Sequence, residues 1–194
     1  MRIVTGGAKG ARLKAARRPG LRPTTSLVRG AIFNILPPHA IVEARVLDLF
    51  AGSGALGLEA LSRGAQWADF VERDPRGARL IRENLQTAGL AEQAHVYCAT
   101  AQKALGFLPG PYRLVLLDPP YEDPGTPAIL QRIASGNHLS PGAIIVLEHA
   151  WRNGAPPAPP GLALAQTRRY GDTAVSLYHR REDTAADAGD APAP

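Results

Sequence analysis

Five short apolar runs, VLDLF (46–50), ADFVE (68–72), HVYC (95–98), RLVLLD (113–118) and AIIVLEH (143–149), are each separated by a stretch with helical spacing. This alternation constrains the fold more than any other feature. Aliphatic runs of this length read as strands buried on both faces, and crossover helices between them force the strands parallel. The expected class is α/β, a doubly wound parallel sheet with helices on both sides. ALGLEALSR (55–63) reads as a helix ending at Gly64. Asp74 caps a helix that Pro75 opens and Gly89 closes. AQKALGFL and PAILQRIAS read as two further helices.

The pattern changes at both ends. Beyond NGAPPAPPG (153–161), LALAQTRRY and TAVSLYHRR follow with only Gly171–Asp172 between them. That predicts an antiparallel hairpin added to one sheet edge. At the start, RIVT and ARLKA suggest a short hairpin. LRPTTSLVRGAIFNILPP suggests a helix capped by Thr24 or Thr25, buried along Val28, Ile32 and Leu36, and stopped by Pro37–Pro38. Residues 1–42 hold eight Lys or Arg and no acid, leaving 14 basic and 17 acidic residues in the remainder. Such a one-sided basic segment attracts phosphate backbones. The organisation expected is a basic arm and helix (1–42), a main domain (43–181) and a disordered acidic tail (182–194).

Several classes are disfavoured. No apolar run approaches the ~18 residues of a membrane helix, and MRIVTGGAKGARLKAARR has no apolar signal core, so a cytoplasmic protein is expected. The one cysteine, Cys98, lies in a strand and reads as a buried small hydrophobe. The five histidines lack metal-ligand spacing. No heptad or apolar repeat suggests an oligomer, so a monomer is expected.

In a doubly wound sheet, ligands bind beyond the carboxyl ends of the strands. Two ends carry chemistry. In DLFAGSGALGLEA (48–60), Gly52 and Gly54 follow a strand and open a helix, matching GxGxxG. Glu72 closes the next strand, 18 residues after Gly54, where an acid can accept ribose hydroxyls. A nucleoside-bearing cofactor is implied, and the glycines do not choose between NAD and S-adenosylmethionine. The second end is LVLLDPPYED (114–123). Asp118 and the Pro119 carbonyl are acceptors on a backbone that proline stiffens and strips of N–H donors. Tyr121 offers a ring face. Two acceptors and a stacking ring suit the exocyclic amine of a nucleobase.

With these residues, the chain resembles S-adenosylmethionine-dependent N-methyltransferases with a seven-stranded Rossmann-like sheet. LRPTTSLVRGAIFNIL, MRIVTGGAKGARL and RRYGDTAVSLYHRR narrow the resemblance to the bacterial RsmD-type 16S ribosomal RNA guanine-N2 methyltransferases. It runs from Met1 to about Arg181. It implies that Phe50, Gly52, Ser53 and Gly54 wrap the methionine and sugar of S-adenosylmethionine, with Asp48 near its amino group. Glu72 would take the ribose and Arg73 flank the adenine. Thr100, Ala101 and Gln102 would lie near the adenine, although many related enzymes have an acid or amide where Thr100 stands. Asp118, Pro119, Pro120 and Tyr121 would hold a flipped guanine. Lys9, Arg12, Arg22, Thr24 and Arg29 would meet RNA phosphates. The implied partner is 16S ribosomal RNA or the assembling small subunit.

Direct methyl transfer needs no covalent enzyme intermediate, and Cys98, preceded by Tyr97, is not the Pro-Cys pair of pyrimidine-C5 chemistry. Three other readings compete: an NAD-dependent oxidoreductase, a non-catalytic RNA-binding module, and an adenine-N6 methyltransferase acting on DNA or RNA. The first leaves DPPY unexplained, and the second leaves both strand-end loops unexplained.

Overall fold

The structure, a computed structural model, describes residues 1–15, 26–120 and 123–181. Seven strands form one sheet: β1 (Arg45–Asp48), β2 (Trp67–Glu72), β3 (Ala94–Cys98), β4 (Tyr112–Leu117), β5 (Leu139–Ala150), β6 (Leu162–Tyr170) and β7 (Thr173–Arg180). Their spatial order is β3-β2-β1-β4-β5-β7-β6. The first five run parallel, and the β6–β7 hairpin joins β5 antiparallel. Strand order reverses between β1 and β4, which lie side by side with Asp48 opposite Leu116. A ligand crevice opens at such a reversal.

Strand alternation sends neighbouring side chains to opposite faces. Val46, Leu114, Leu116, Ile144 and Val146 enter one apolar cluster, and Leu47, Val115, Leu117, Ile145 and Leu147 the other. The first face is covered by α1 (Ser26–Ile35), α2 (Ala55–Ser62) and α3 (Pro75–Ala88), the second by α4 (Ala101–Ala104) and α5 (Thr126–Ser135). The local signals explain α3: Asp74 Oδ1 accepts the Arg76 N–H at 2.8 Å, Pro75 occupies the first turn, and Gly89 ends the helix at φ 70°. Helix α1 stops just before Pro37–Pro38 and buries Val28 and Ile32. The predicted caps Thr24 and Thr25 lie outside the described residues, as does the 182–194 tail.

Every residue of α2 is buried, including Glu59 and Ser62. A helix buried all round is covered on both sides. Here the sheet covers one side and residues 1–15 the other. Ile3 and Leu13 join the same core cluster as α2. Gly6 comes so close to α2 that a Cβ there would overlap the Ser62 carbonyl oxygen, at 1.6 Å.

The short hairpin expected at the start forms, with Arg2 bridging Arg12, Ile3 N–H bonding the Ala11 carbonyl and Leu13 N–H the Met1 carbonyl. The Val4 and Thr5 N–H groups are diverted to Glu59, which ends the ladder. Two other expectations need correction. Helix α4 spans one turn, because 105–107 tighten into turns. Cys98 is exposed rather than buried, because β3 is the edge strand and its last residue has no neighbouring strand outside it.

Candidate functional site

Turn 49–54 leaves β1 at the strand-order reversal. Leu49 N–H bonds the Leu116 carbonyl of β4, and Ala51 N–H bonds the Val71 carbonyl of β2, so the turn is tied to both neighbours. Gly52 and Gly54 have φ of 55° and 79°, the left-handed region that glycine adopts without Cβ strain. Nothing lies within 4 Å of where a Gly52 Cβ would sit, so the backbone there faces open space. Gly57, the third glycine of the motif, serves packing instead. A Cβ would stand 2.3 Å from the buried Phe70 ring, so only glycine lets α2 lie this close to β2.

Glu72 braces this turn. Its Oε2 accepts the Gly52 N–H at 2.9 Å and its Oε1 the Asp74 N–H at 2.8 Å. Asn84 of α3 adds a second brace that sequence reasoning misses. Fully buried, it donates to the Ser53 carbonyl (2.9 Å) and the Lys14 carbonyl (3.0 Å), and accepts the Lys14 N–H (2.8 Å). One amide therefore joins the glycine turn to the basic arm. An asparagine on an amphipathic helix carries no local signal for that role.

Asp48, the last residue of β1, is 1% exposed. Its Oδ2 accepts the Gly57 N–H at 2.9 Å, and its Oδ1 is buried with no hydrogen-bond partner among the described residues. Burial pushes its carboxyl up to about 7. The Gly57 N–H opposes that rise, and the charges of Asp118 and Glu72 add to it. A buried carboxylate with an unused acceptor fits a cationic ligand group. That unused oxygen, the open Gly52 backbone and the acid closing β2 together fit the methionyl and ribose ends of an adenosyl sulfonium cofactor.

Asp118 follows β4, two residues past the Asp48 register partner Leu116, on the adjacent strand. Adjacent strands lie about 4.8 Å apart, so the two strand-end loops meet at one mouth. By alternation Asp118 continues the Leu114–Leu116 face that Asp48 shares with Val46. Asp118 is half-buried, Pro119 buried and Pro120 exposed. The Asp123 N–H bonds the Pro120 carbonyl at 2.9 Å, fixing the far side of the loop. Tyr121 lies outside the described residues.

Other predicted residues are more scattered. Phe50 packs partly buried against the α4–α5 core. Arg73 is exposed beside Cys98, whose Sγ reaches the Arg73 carbonyl at 4.0 Å. The Thr100 side chain is occupied as the cap of α4, accepting the Lys103 N–H, and Ala101 is buried. Gln102 opens α4 beside Ala101. Lys9 and Arg12 are exposed on the arm; Arg22 and Thr24 lie outside the described residues. Arg29 is a correction. It is 1% exposed, with Nε 3.5 Å from Glu59, and it donates to the Arg2 carbonyl. Desolvation lowers its pKa, with Glu59 opposing. Its guanidinium holds the arm from inside and does not face solvent phosphates.

A glycine turn and an acceptor-rich Asp-Pro-Pro loop meeting at the reversal point of this strand order define the class: a nucleoside-cofactor-dependent α/β methyltransferase. Comparison with known proteins gives the particular family. The family model described as "Conserved hypothetical protein 95" matches residues 1–179, and the chain belongs to that family, the RsmD family. The chain is 37% identical over 188 residues to the Ribosomal RNA small subunit methyltransferase D of Escherichia coli strain K12, covering 97% of this chain and 94% of that protein. It is 38% identical over 154 residues to the Haemophilus influenzae protein of the same name, covering 76% of this chain and 78% of that one. The solved structure of the Escherichia coli protein yhhF superposes with a TM-score of 0.84 at 36% identity, over 93% of this chain and 97% of that one.

Proposed function

We propose that this protein transfers a methyl group from S-adenosylmethionine to the exocyclic N2 amine of a guanine in small-subunit ribosomal RNA, acting in the cytoplasm on 16S RNA or the assembling subunit. The observation that carries the reading is the adjacency of the two strand-end loops across the β1–β4 pair. The names of the Escherichia coli and Haemophilus influenzae relatives support the ribosomal RNA substrate.

When bound, the cofactor supplies an electrophilic methyl on a good leaving group. The protein's contribution is therefore placement and desolvation, and fixed orientation lowers a two-reactant barrier by several kcal/mol. The open Gly52–Gly54 backbone and the Asp48 oxygen hold the methionyl end. Glu72, already fixing the turn, faces the ribose, and Arg73 and Thr100 border the adenine. Asp118 and the Pro119 carbonyl accept the two N2 hydrogens of the flipped base, with Tyr121 against its plane. That grip turns the nitrogen lone pair out of conjugation and toward the sulfonium. Asp118 would take one N2 proton late and pass it to water, while the bound donor would supply the methyl and leave as a neutral thioether.

Asp118→Ala should lower turnover by at least about a hundredfold, the loss typical for one preorganised polar group. S-adenosylhomocysteine affinity, read by calorimetry, should stay within a few fold. Collapse of cofactor binding would place Asp118 in the cofactor pocket instead. Nuclease digestion and mass spectrometry of the product separate N2-methylguanine from N6-methyladenine.

A further inference from the structure

We propose that Trp151, together with Arg169 of the β6–β7 hairpin, forms a stacking platform for an unpaired nucleotide of the substrate RNA beside the target base. The inference rests on the RNA-methyltransferase reading and extends it to a surface on the far side of the mouth from the basic arm.

Four observations converge on this edge. Trp151 directly follows the carboxyl end of β5, the strand beside β4 and its Asp118 loop. It is 42% exposed, one of six large apolar side chains left open among the described residues. It is also held in place: its backbone N–H bonds the Asp172 carbonyl of the hairpin turn at 2.8 Å, and the Arg169 guanidinium lies over its ring, 5.2 Å from the centre. Finally, a cleft beside the Asp118 loop, lined by Pro119, Pro120, Asp123, Glu148, His149 and Asn153 among others, reaches Asn153, two residues along the chain from Trp151.

The chemistry fits single-stranded RNA. A fixed, half-open indole with an arginine stacked on it presents a π-face to a base and a guanidinium edge to the adjoining phosphate. Arg169 is exposed on the edge strand, on the face that meets Trp151, while its neighbour Arg168 points to the other face and bonds Gln166. The prolines offer carbonyls and apolar ring faces but no N–H donors, and Asp123 and Glu148 of the same cleft repel phosphate, so the cleft suits sugar and base surfaces and leaves the phosphate to Arg169. The arm lies over α2, beyond β1, while Trp151 lies beyond β5. A strand whose target base enters between β1 and β4 therefore has flanking nucleotides on both sides to be held.

The test measures binding of a fluorescent single-stranded RNA twelve-mer containing guanine, by anisotropy at fixed salt, alongside methyl transfer to the same RNA. Trp151→Ala should weaken binding about five- to a hundredfold, and Trp151→Phe, which keeps a ring, should recover most of it. Arg169→Ala should weaken binding less and lower the salt slope. S-adenosylhomocysteine affinity and thermal midpoint should match wild type, which excludes misfolding. Equal RNA affinity for Trp151→Ala and wild type would overturn the platform. If that variant then fails only on assembled subunits, the patch is a protein contact, and the RNA assignment is equally overturned. A wild type that binds the RNA but transfers no methyl would fail the methyltransferase reading, while binding by the variants would still decide the platform.

Discussion

Glu59, on α2, and Asp48, at the end of β1 beside it, are both buried carboxylates, yet their surroundings are opposite. Glu59 receives the Val4 N–H at 2.8 Å, the Thr5 N–H at 3.1 Å and Arg63 Nε at 3.0 Å, with Arg29 Nε at 3.5 Å. Asp48 receives one N–H and keeps an unused oxygen, beside two further acids whose charges raise its pKa. The first carboxylate is fully partnered and holds the arm to the helix, although Arg29 Nε and Nη1 make no hydrogen bond among the described residues. The second lacks a positive partner, and a ligand's cationic group would complete it. Burial alone thus does not mark a functional acid; what distinguishes the two is whether the protein itself satisfies the charge.

The sharpest way to break this comparison is to remove Glu59. Glu59→Ala leaves the buried Arg29 guanidinium without its counter-charge and two backbone N–H groups without their acceptor, and should cost about 3–5 kcal/mol in chemical denaturation. A loss below about 1 kcal/mol would show that Glu59 does not anchor the arm, which its hydrogen bonds to Ser62 and Asn84 and its apolar contacts would then hold.

Asp48→Asn should behave in the opposite sense. Asp48 titrates near 7 in the folded chain and near ~3.9 unfolded, so between these values the folded state holds the extra proton. Its contribution to stability is then present at low pH and is lost as pH rises from about 4 to about 7. The variant should gain stability relative to wild type across that window, with no further gain above it, in denaturation at stepped pH. It should also bind S-adenosylhomocysteine about tenfold more weakly if the unused oxygen meets the ligand's ammonium. Unchanged affinity would remove Asp48 from the cofactor site.

The smallest effect belongs to the exposed arm. Replacing Lys9 and Arg12 together should weaken RNA binding a few fold and reduce the salt slope by about one to two units. Arg29 should be left intact in this test, because its loss would disturb the arm's anchoring as well as its charge.

The alternation of apolar runs is enough to read the sheet, because a parallel strand buried on both faces must be apolar along its whole length. The α3 caps and the turn glycines are equally legible, since φ preference and N-cap bonding are properties of the residue itself. Arg29 misleads because a basic residue in a basic segment looks solvent-facing. Its partner stands 30 positions later, and only the packing of α1 and the arm on α2 reveals that the charge is internal. Cys98 misleads because a strand's sequence does not say that it lies at the sheet edge.

By itself, the sequence determined the periodicities, the two strand-end loops and the charge asymmetry, all of which arise from residues close together in the chain. Tertiary structure decided which loops share a mouth, which acids are satisfied, and where Asn84 and Trp151 stand relative to the site. Those depend on strand order and on long-range hydrogen bonds, and a carboxylate's neighbours across a fold leave no trace in its local spacing.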